Sequence, residues 1–503
     1  MSEREFRLRD TMSGQVKPLK AIEPGHLRFY SCGPTVYGYA HIGNFRTFLN
    51  ADLVVRTAEA LGWKVTYVSN ITDVGHLTED DVADASGEDK MEKALKSKEG
   101  DQFANIWDLS EFYAEAFKHD WRRMNLREPA VRPKATQHMR EQIKAIEELI
   151  ATGHAYETPT GVYFDVSSFA DYGKLSGNKE QDSLQVAVRD VVQDDNKKSP
   201  ADFALWKKDD KHLMQWFSPW GWGFPGWHIE CSVMAHMYLG ETLDLHSGGE
   251  DLVFPHHECE IAQSESVGDK PFCNHWMHVR FLQVEGEKMS KSDGNFYTVR
   301  DMIDGKGADP LALRLALISV PYGKPLNFTM QTLRDAERNV EKFRAAEKKA
   351  KDGIESGTAG DDAIGDDLTR LYDEALDAMC DDLNTAVAIA KALEGAKAIN
   401  SADVGSFSSG DARAALDFLD RINALLGIVR GDYGACCPPG EAEADDEPTV
   451  DGKTISEWIE ERATAKANRD FEASDAVRDQ LAAAGIELRD SPDGTTWVKK
   501  STV

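Results

Sequence analysis

Two short runs of strand-forming residues flank a helical pattern near the start of the chain, and this arrangement constrains the fold more than any other feature. Residues 27–32 and 64–70 (Lys64-Val65-Thr66-Tyr67-Val68-Ser69-Asn70) read as buried strands. Between them, residues 43–61 read as a helix with Phe45, Phe48, Leu49, Leu53 and Leu61 broadly on one side. Strand, helix and strand over this length make a βαβ unit, so the sheet is expected to be parallel and the crossover right-handed. Ligands on such sheets bind beyond the carboxyl ends of the strands. Cys32, the turn Gly33-Pro34 and the run His41-Ile42-Gly43-Asn44 all fall there.

Length and composition bound the rest. At 503 residues there is room for three or four domains, and 41% apolar with 29% charged residues describes a globular chain. No apolar run approaches the ~20 residues that span a bilayer, so no membrane partner is expected. The opening MSEREFRLRD has no apolar stretch of the kind a signal peptide needs. Seven cysteines without a framework spacing fit a reducing cytoplasm better than a disulfide scaffold. A net charge of −29 argues against a general nucleic-acid binder, while leaving room for a local patch that meets RNA.

Further along, residues 136–152 read as an amphipathic helix with Thr136 as N-cap and Met139, Ile143, Ile146 and Ile150 as its stripe. Residues 155–226 read as short β pieces forming an insertion, with Trp216, Trp220 and Trp222 as packing groups or, for some of them, the border of a pocket. Residues 311–430 alternate long helical patterns with acidic, glycine-rich breaks, as a helical bundle does. Residues 433–450, including Cys436-Cys437-Pro438-Pro439-Gly440, read as an acidic linker. A small separate unit ends the chain: helices at 455–468 and 471–484, then Gly485 and a short β element reaching Trp497.

The segment from Trp227 to Glu260 carries most of the metal-ligand types. Cys231, His256 and Glu260 suit a borderline-soft metal, and His256 and Glu260, four apart, share one face of a helix that Pro255 introduces. The spacing is not the His-Glu-x-x-His of zinc proteases, so a fourth ligand comes from elsewhere, and Cys32 is the best candidate. Taken singly, Cys231 and His256 suit a buried thiol and a helix-capping imidazole just as well. His257 and Cys259 are expected to lie on other helix faces.

His41-Ile42-Gly43-Asn44 at a helix start suits phosphate: glycine admits a close ligand and the helix N-terminus favours an anion. Much later comes Lys288-Met289-Ser290-Lys291-Ser292. Two lysines with hydroxyls on one loop can oppose the charge that develops on a triphosphate during displacement.

Together these two motifs resemble the signatures of class I aminoacyl-tRNA synthetases, usually spelled HIGH and KMSKS. The set Cys32, Cys231, His256, Glu260 and the block Gly226-Trp227-His228-Ile229-Glu230-Cys231-Ser232 resemble the cysteinyl-tRNA synthetases within that class. The resemblance covers roughly residues 20–500. It implies an α/β fold: a Rossmann-like parallel-sheet catalytic domain with a connective insertion, then an all-α helical bundle and a small C-terminal anticodon-binding domain. On that pattern the catalytic halves fall at 20–127 and 227–296 with the insertion at 128–226. A stem-contact region follows at 297–335, then the bundle at 336–432, the linker at 433–450 and the anticodon domain at 451–503.

Residue by residue, the resemblance gives roles. His41, Asn44, Lys288 and Lys291 match catalytic positions. His41, Gly43, Asn44, Gly248, Gly249, Asp251, Lys288, Ser290, Lys291 and Ser292 match ATP-binding ones. Cys32, Cys231, His256 and Glu260 match the family's zinc ligands. Thr72, Trp227 and His246 match its cysteine pocket. Lys466, Asp475, Arg478, Asp490 and Trp497 match its tRNA contacts. Implied with them are one zinc per chain, ATP with magnesium, L-cysteine, tRNA(Cys), a monomer and a cytoplasmic place of work. The sequence departs from the usual pattern at Asn44, where a second histidine is common, at Lys466, where some members have arginine, and at Phe224, where arginine is common. A related group of ligases joins cysteine to an amino sugar but lacks the anticodon domain, so residues 451–503 favour the synthetase. A synthetase-like regulatory protein without catalysis would not be expected to keep both ATP motifs and the whole metal set.

Overall fold

A computed structural model describes residues 4–499 apart from 76, 80–82, 85, 178–195, 269, 291–293, 358–362, 404–406, 432–448, 451–452, 468–469, 485 and 492–493. For Lys466, Asp490 and Trp497 it describes the backbone alone. The chain divides into two compact units, Met1–Asp432 and Tyr433–Val503.

The larger unit is built on four parallel strands. They are β1 (His26–Ser31), β2 (Lys64–Ser69), β3 (Leu245–Gly249) and β4 (Trp276–Val279), in spatial order β4-β3-β1-β2. Ser31 pairs in register with Ser69 on one side and Ser247 on the other. Helix α1 (Ile42–Ala60) connects β1 to β2 as the βαβ pattern requires. From β2 the chain returns to the opposite side of β1 to lay down β3, so the strand order reverses between β1 and β3, where such sheets hold their ligands. Alternation along β1 separates two cores. Leu27 and Phe29 pack with α1, while Tyr30 and Cys32 face the other core with Cys231.

α1 departs from expectation in its outer face. Fourteen of its residues are buried, from Ile42 to Ala58, because the helices that follow cover the side away from the sheet. Polar residues on that side are therefore paired internally. Asp52 accepts from Arg56 Nε at 2.7 Å, from Arg127 N at 2.7 Å and from the Arg314 guanidinium. Arg56 and Arg314 in turn donate to the carbonyls of Asn423, Ala424, Leu426, Met124 and Asn125.

The expected helix at 136–152 starts later. Residues Ala135–His138 form a 3-10 turn and the α-helix runs Met139–Ala151. Thr136 does not cap it, because both its amide and its hydroxyl bond the Asp73 carboxylate, at 2.9 and 2.7 Å. Residues 155–226 include a five-stranded antiparallel sheet made of Ala155–Glu157, Gly161–Phe164, Phe203–Lys207, Trp216–Ser218 and Gly221–Pro225. Within it Trp206 and Trp220 are buried, whereas Trp222 and Phe217 are exposed.

Helices Pro310–Ile318, Met330–Ser356, Gly365–Cys380, Thr385–Ser401 and Ser409–Leu426 make the helical region. In the smaller unit, helices Ile455–Ala467 and Phe471–Ala483 precede an antiparallel hairpin, Ile486–Ser491 with Gly494–Lys499. Ile455, Trp458, Val477 and Leu481 form that unit's own core. Cys436 and Cys437 and most of the expected linker lie outside the described residues.

Candidate metal centre and nucleotide site

Helix α2 (Trp227–Leu239) presents Cys231, and helix α3 (Glu258–Glu265), with the turn before it, presents His256, His257 and Glu260. Cys32 follows directly on β1. The candidate ligand atoms of Cys32, Cys231, His256 and Glu260 all lie within 4.8 Å of one another, and all four residues are buried. The two sulfurs stand 3.9 Å apart, and both cysteines are free thiols. Two thiolates held tetrahedrally ~2.3 Å from one zinc would be separated by about 3.8 Å. His256 Nε2 is 3.0 Å from Glu260 Oε1. A soft–borderline donor set with this compactness fits zinc and suits magnesium or calcium poorly.

Within the cluster the ionised groups hold one another. Burial opposes ionisation of Glu260, but His246 and His256 outweigh it and hold the carboxyl down at about 2. Burial likewise opposes the His256 imidazolium, and Glu260 and Cys231 overcome it, raising that ring to about 10. A hydrogen bond from Cys32 lowers the Cys231 thiol to about 6. Burial drives Cys32 itself well up.

One expectation fails here. His257 does not point away: its Nε2 is 3.4 Å from Cys32 Sγ and 3.9 Å from Glu260 Oε1. Cys32, His246, His257 and Glu260 form a second compact set sharing two members with the first. Residues three and four positions before Glu260 both reach its face of the helix, so the i,i+4 partner was only half of the geometry. His257 Nδ1 is 2.7 Å from His278 Nε2, and His278 Nδ1 is 2.7 Å from the Thr11 hydroxyl. Burial pushes both rings down, His278 to about 3. The alternation His246-Ser247-Gly248 on β3 and Trp276-Met277-His278 on β4 could have announced this ring stack, since alternate residues share a sheet face. Cys259, as expected, stays apart, against the Tyr172 hydroxyl at 3.5 Å.

The expected cysteine-pocket residues gather around the cluster. Trp227 lies against the His256 ring with centroids 4.2 Å apart, and His246 Nε2 is 3.0 Å from Glu260 Oε2. Thr72, just past β2, donates to Glu230 Oε2 at 3.0 Å. Neither Glu230 nor His228 was singled out from sequence.

At the start of α1, His41 and Asn44 make a capping box. The Asn44 amide donates to His41 Nδ1 at 3.0 Å, and Asn44 Oδ1 accepts the His41 amide at 3.1 Å. Asn44 is therefore committed to holding the helix entry. Because His41 Nδ1 accepts, its ring proton sits on Nε2, which makes Nε2 the donor nitrogen of the ring. A Cβ on Gly43 would fall 2.8 Å from the Met289 methyl and 2.9 Å from His41 Nδ1, so the later motif packs directly on the earlier one. Lys288 is exposed at the end of a short ladder, and Asn295 joins both sides of the loop, accepting the Ser290 amide at 2.8 Å and donating to the Lys288 carbonyl at 3.1 Å. Lys291 and Ser292 lie outside the described residues.

Gly248 and Gly249 end β3. A Cβ on Gly248 would fall 2.8 Å from the His257 ring and the Leu252 side chain, and one on Gly249 would sit 2.3 Å from Asp251 Oδ1, so these side chains close directly on the two glycines. In the smaller unit, Lys466 belongs to its first helix, Asp475 and Arg478 are exposed on its second, and Asp490 and Trp497 are on opposite strands of the hairpin.

Comparison with known proteins agrees with this architecture. Residues 18–338 match the family model for the class I (C) tRNA synthetase catalytic domain, and residues 376–430 match the DALR domain. A protein of Salinibacter ruber named cysteine-tRNA ligase is 53% identical, with 99% of both chains covered. One of the same name from Chlorobaculum tepidum is 40% identical over 96% of this chain and 97% of its own. Among solved structures, methionyl-tRNA synthetase of Mycobacterium tuberculosis with methionyl-adenylate superposes with a TM-score of 0.55 at 13% identity, covering 80% of this chain and 91% of that one, a likeness of fold alone. With its catalytic family model matched over 18–338 and relatives aligned end to end, the chain belongs to the cysteine-tRNA ligase family of class I aminoacyl-tRNA synthetases.

Proposed function

We propose that this enzyme activates L-cysteine with ATP to cysteinyl-adenylate and passes the cysteine to tRNA(Cys). What carries the reading is the convergence of Cys32, Cys231, His256 and Glu260 beside Trp227 and Thr72, at the end of the sheet where α1 begins. In the first step the substrate carboxylate attacks the α-phosphorus and pyrophosphate leaves. His41 Nε2–H, at a helix N-terminus, donates to a phosphoryl oxygen, and Lys288 and Lys291 oppose the charge that grows on the leaving group. Packing of Met289 on Gly43 supports bringing Lys288 to the nucleotide. Gly248, Gly249 and Asp251 hold the adenosine side. In the second step a ribose hydroxyl of the tRNA attacks the acyl carbon and AMP leaves. Zinc held by Cys32, Cys231, His256 and Glu260 would take the substrate sulfur as thiolate, a match that a serine hydroxyl, harder and slower to ionise, does not offer.

On this reading residues 128–226 are the connective insertion and 297–335 meet the acceptor stem. The bundle at 336–432, which includes the DALR match, binds tRNA, and 451–503 read the anticodon through Lys466, Asp475, Arg478, Asp490 and Trp497. Among the described residues no helix is long and apolar enough to cross a membrane, and five buried free thiols suit a reducing cytoplasm. We take the working form to be a monomer. The test is charging of a tRNA(Cys) transcript by purified protein: cysteine is attached and serine is not. Absence of cysteine-dependent pyrophosphate exchange would overturn the reading.

A further inference from the structure

Glu230 precedes Cys231 on α2 and is fully buried. Its Oε2 accepts the Thr72 hydroxyl at 3.0 Å. Its Oε1 has no partner, and among the described residues it is the one buried carboxylate oxygen in that condition. Neighbouring carboxylates are occupied. Glu260 faces His246 and His256, Asp73 receives Thr136, and Glu258 receives the amides of Gly173, Leu175 and Ser176. A carboxylate in a first helical turn can serve its own helix, but α2 has no side-chain cap bond. The position is held from behind. Thr72 accepts from Asn70 Nδ2 at 3.2 Å, and Asn70 Oδ1 accepts the Gly33 amide at 2.8 Å. The relay thus runs from the residue after Cys32 to the residue before Cys231.

We propose that Glu230 receives the α-ammonium of the amino-acid substrate. The inference rests on cysteine being that substrate. An ammonium brings a charge and three donors, and entering a buried site it requires acceptors, of which the unpartnered Glu230 oxygen is one. In cysteine the sulfur and the ammonium nitrogen are three bonds apart, so a substrate whose sulfur is held at the cluster carries its ammonium close beside it. With both ends fixed, the substrate carboxylate is left free for the nucleotide. Thiols lacking the ammonium are discriminated against by leaving Glu230 buried and unpaired.

The test compares three thiols as ligands of the zinc-loaded enzyme by calorimetry: cysteine, cysteamine, which keeps the ammonium, and mercaptopropionate, which lacks it. Cysteamine is expected to bind the unaltered enzyme more tightly than mercaptopropionate. Glu230→Gln is expected to weaken cysteine and cysteamine by roughly 10- to 100-fold. Mercaptopropionate binding and zinc content should stay unchanged. Equal weakening of all three thiols, loss of zinc, or unchanged cysteine binding overturns the proposal. Should Glu230→Gln not fold, mercaptopropionate binding the unaltered enzyme as tightly as cysteamine overturns it too. If the unaltered enzyme binds no cysteine, the functional reading fails instead.

Discussion

The Nδ1 atoms of His256 and His228 lie 2.9 Å apart, and this contact decides which nitrogen His256 offers to the cluster. His228 Nε2 is 3.0 Å from the Ala83 carbonyl, which can only accept. A neutral His228 therefore carries its proton on Nε2 and accepts at Nδ1. His256 must then donate from Nδ1, leaving Nε2 for the ligand role beside Glu260. His228→Phe removes this orientation and should weaken zinc binding by about 10- to 100-fold. Competition with a chromogenic chelator measures it, and an unchanged affinity would show that Trp227 packing alone orients the ring.

Two metal sets overlap in the structure, and metal analysis separates them. Thr11, His278, His257 and Cys32 form a chain that can be polarised either way, since the Thr11 hydroxyl can donate or accept. Polarised toward Cys32, it gives that sulfur an N–H donor and leaves His257 unable to ligate. We expect Cys231→Ala to lose its zinc and His257→Ala to keep about one per chain, the stoichiometry of a single four-ligand site. The reverse pattern would assign the metal to the set containing His246 and His257.

Local rules explain what the sequence made legible. The βαβ unit was readable because β1, α1 and β2 follow one another and each carries its own pattern. Cys32 could be joined to Cys231 because β1 ends at a known ligand-binding edge of such sheets. Long-range pairings were not readable. Asp52 and Arg314 are 262 residues apart, and nothing local marks them as partners. Thr136 looked like an N-cap because capping preference is local, and Asp73, 63 residues away, outbid it. His257 was misplaced for a simpler reason, the neglect of i,i+3 neighbours on the Glu260 face.

The Asp52 cluster predicts an acid-sensitive contribution to stability. Burial would raise this carboxyl, but Arg56 and Arg314 outweigh it and hold it below its ordinary 3.8. Its folded value is therefore lower than its unfolded value. Such a group contributes fully above the unfolded value and loses that contribution as the pH falls through the folded one. Asp52→Asn should cost about 3–5 kcal/mol at neutral pH by leaving buried guanidinium groups undercompensated. Urea denaturation of both proteins across pH 7 to about 3 checks this, the gap narrowing below about pH 4. A gap independent of pH would mean that shape, not charge, is what Asp52 supplies.

The smaller unit predicts a separation of activities. It has its own core, and the chain divides between Asp432 and Tyr433. The proposed nucleotide and metal residues all belong to the larger unit, whose core includes none of the residues beyond that division. A chain ending at residue 450 should therefore fold its catalytic part and keep cysteine-dependent pyrophosphate exchange. Charging of tRNA(Cys) should fall by about 100-fold in kcat/KM, equivalent to losing about 2.7 kcal/mol of RNA contacts. The fall should appear with the full tRNA and shrink with a minihelix that lacks the anticodon. Equal loss of exchange and charging would mean that residues 451–503 support the core rather than read RNA.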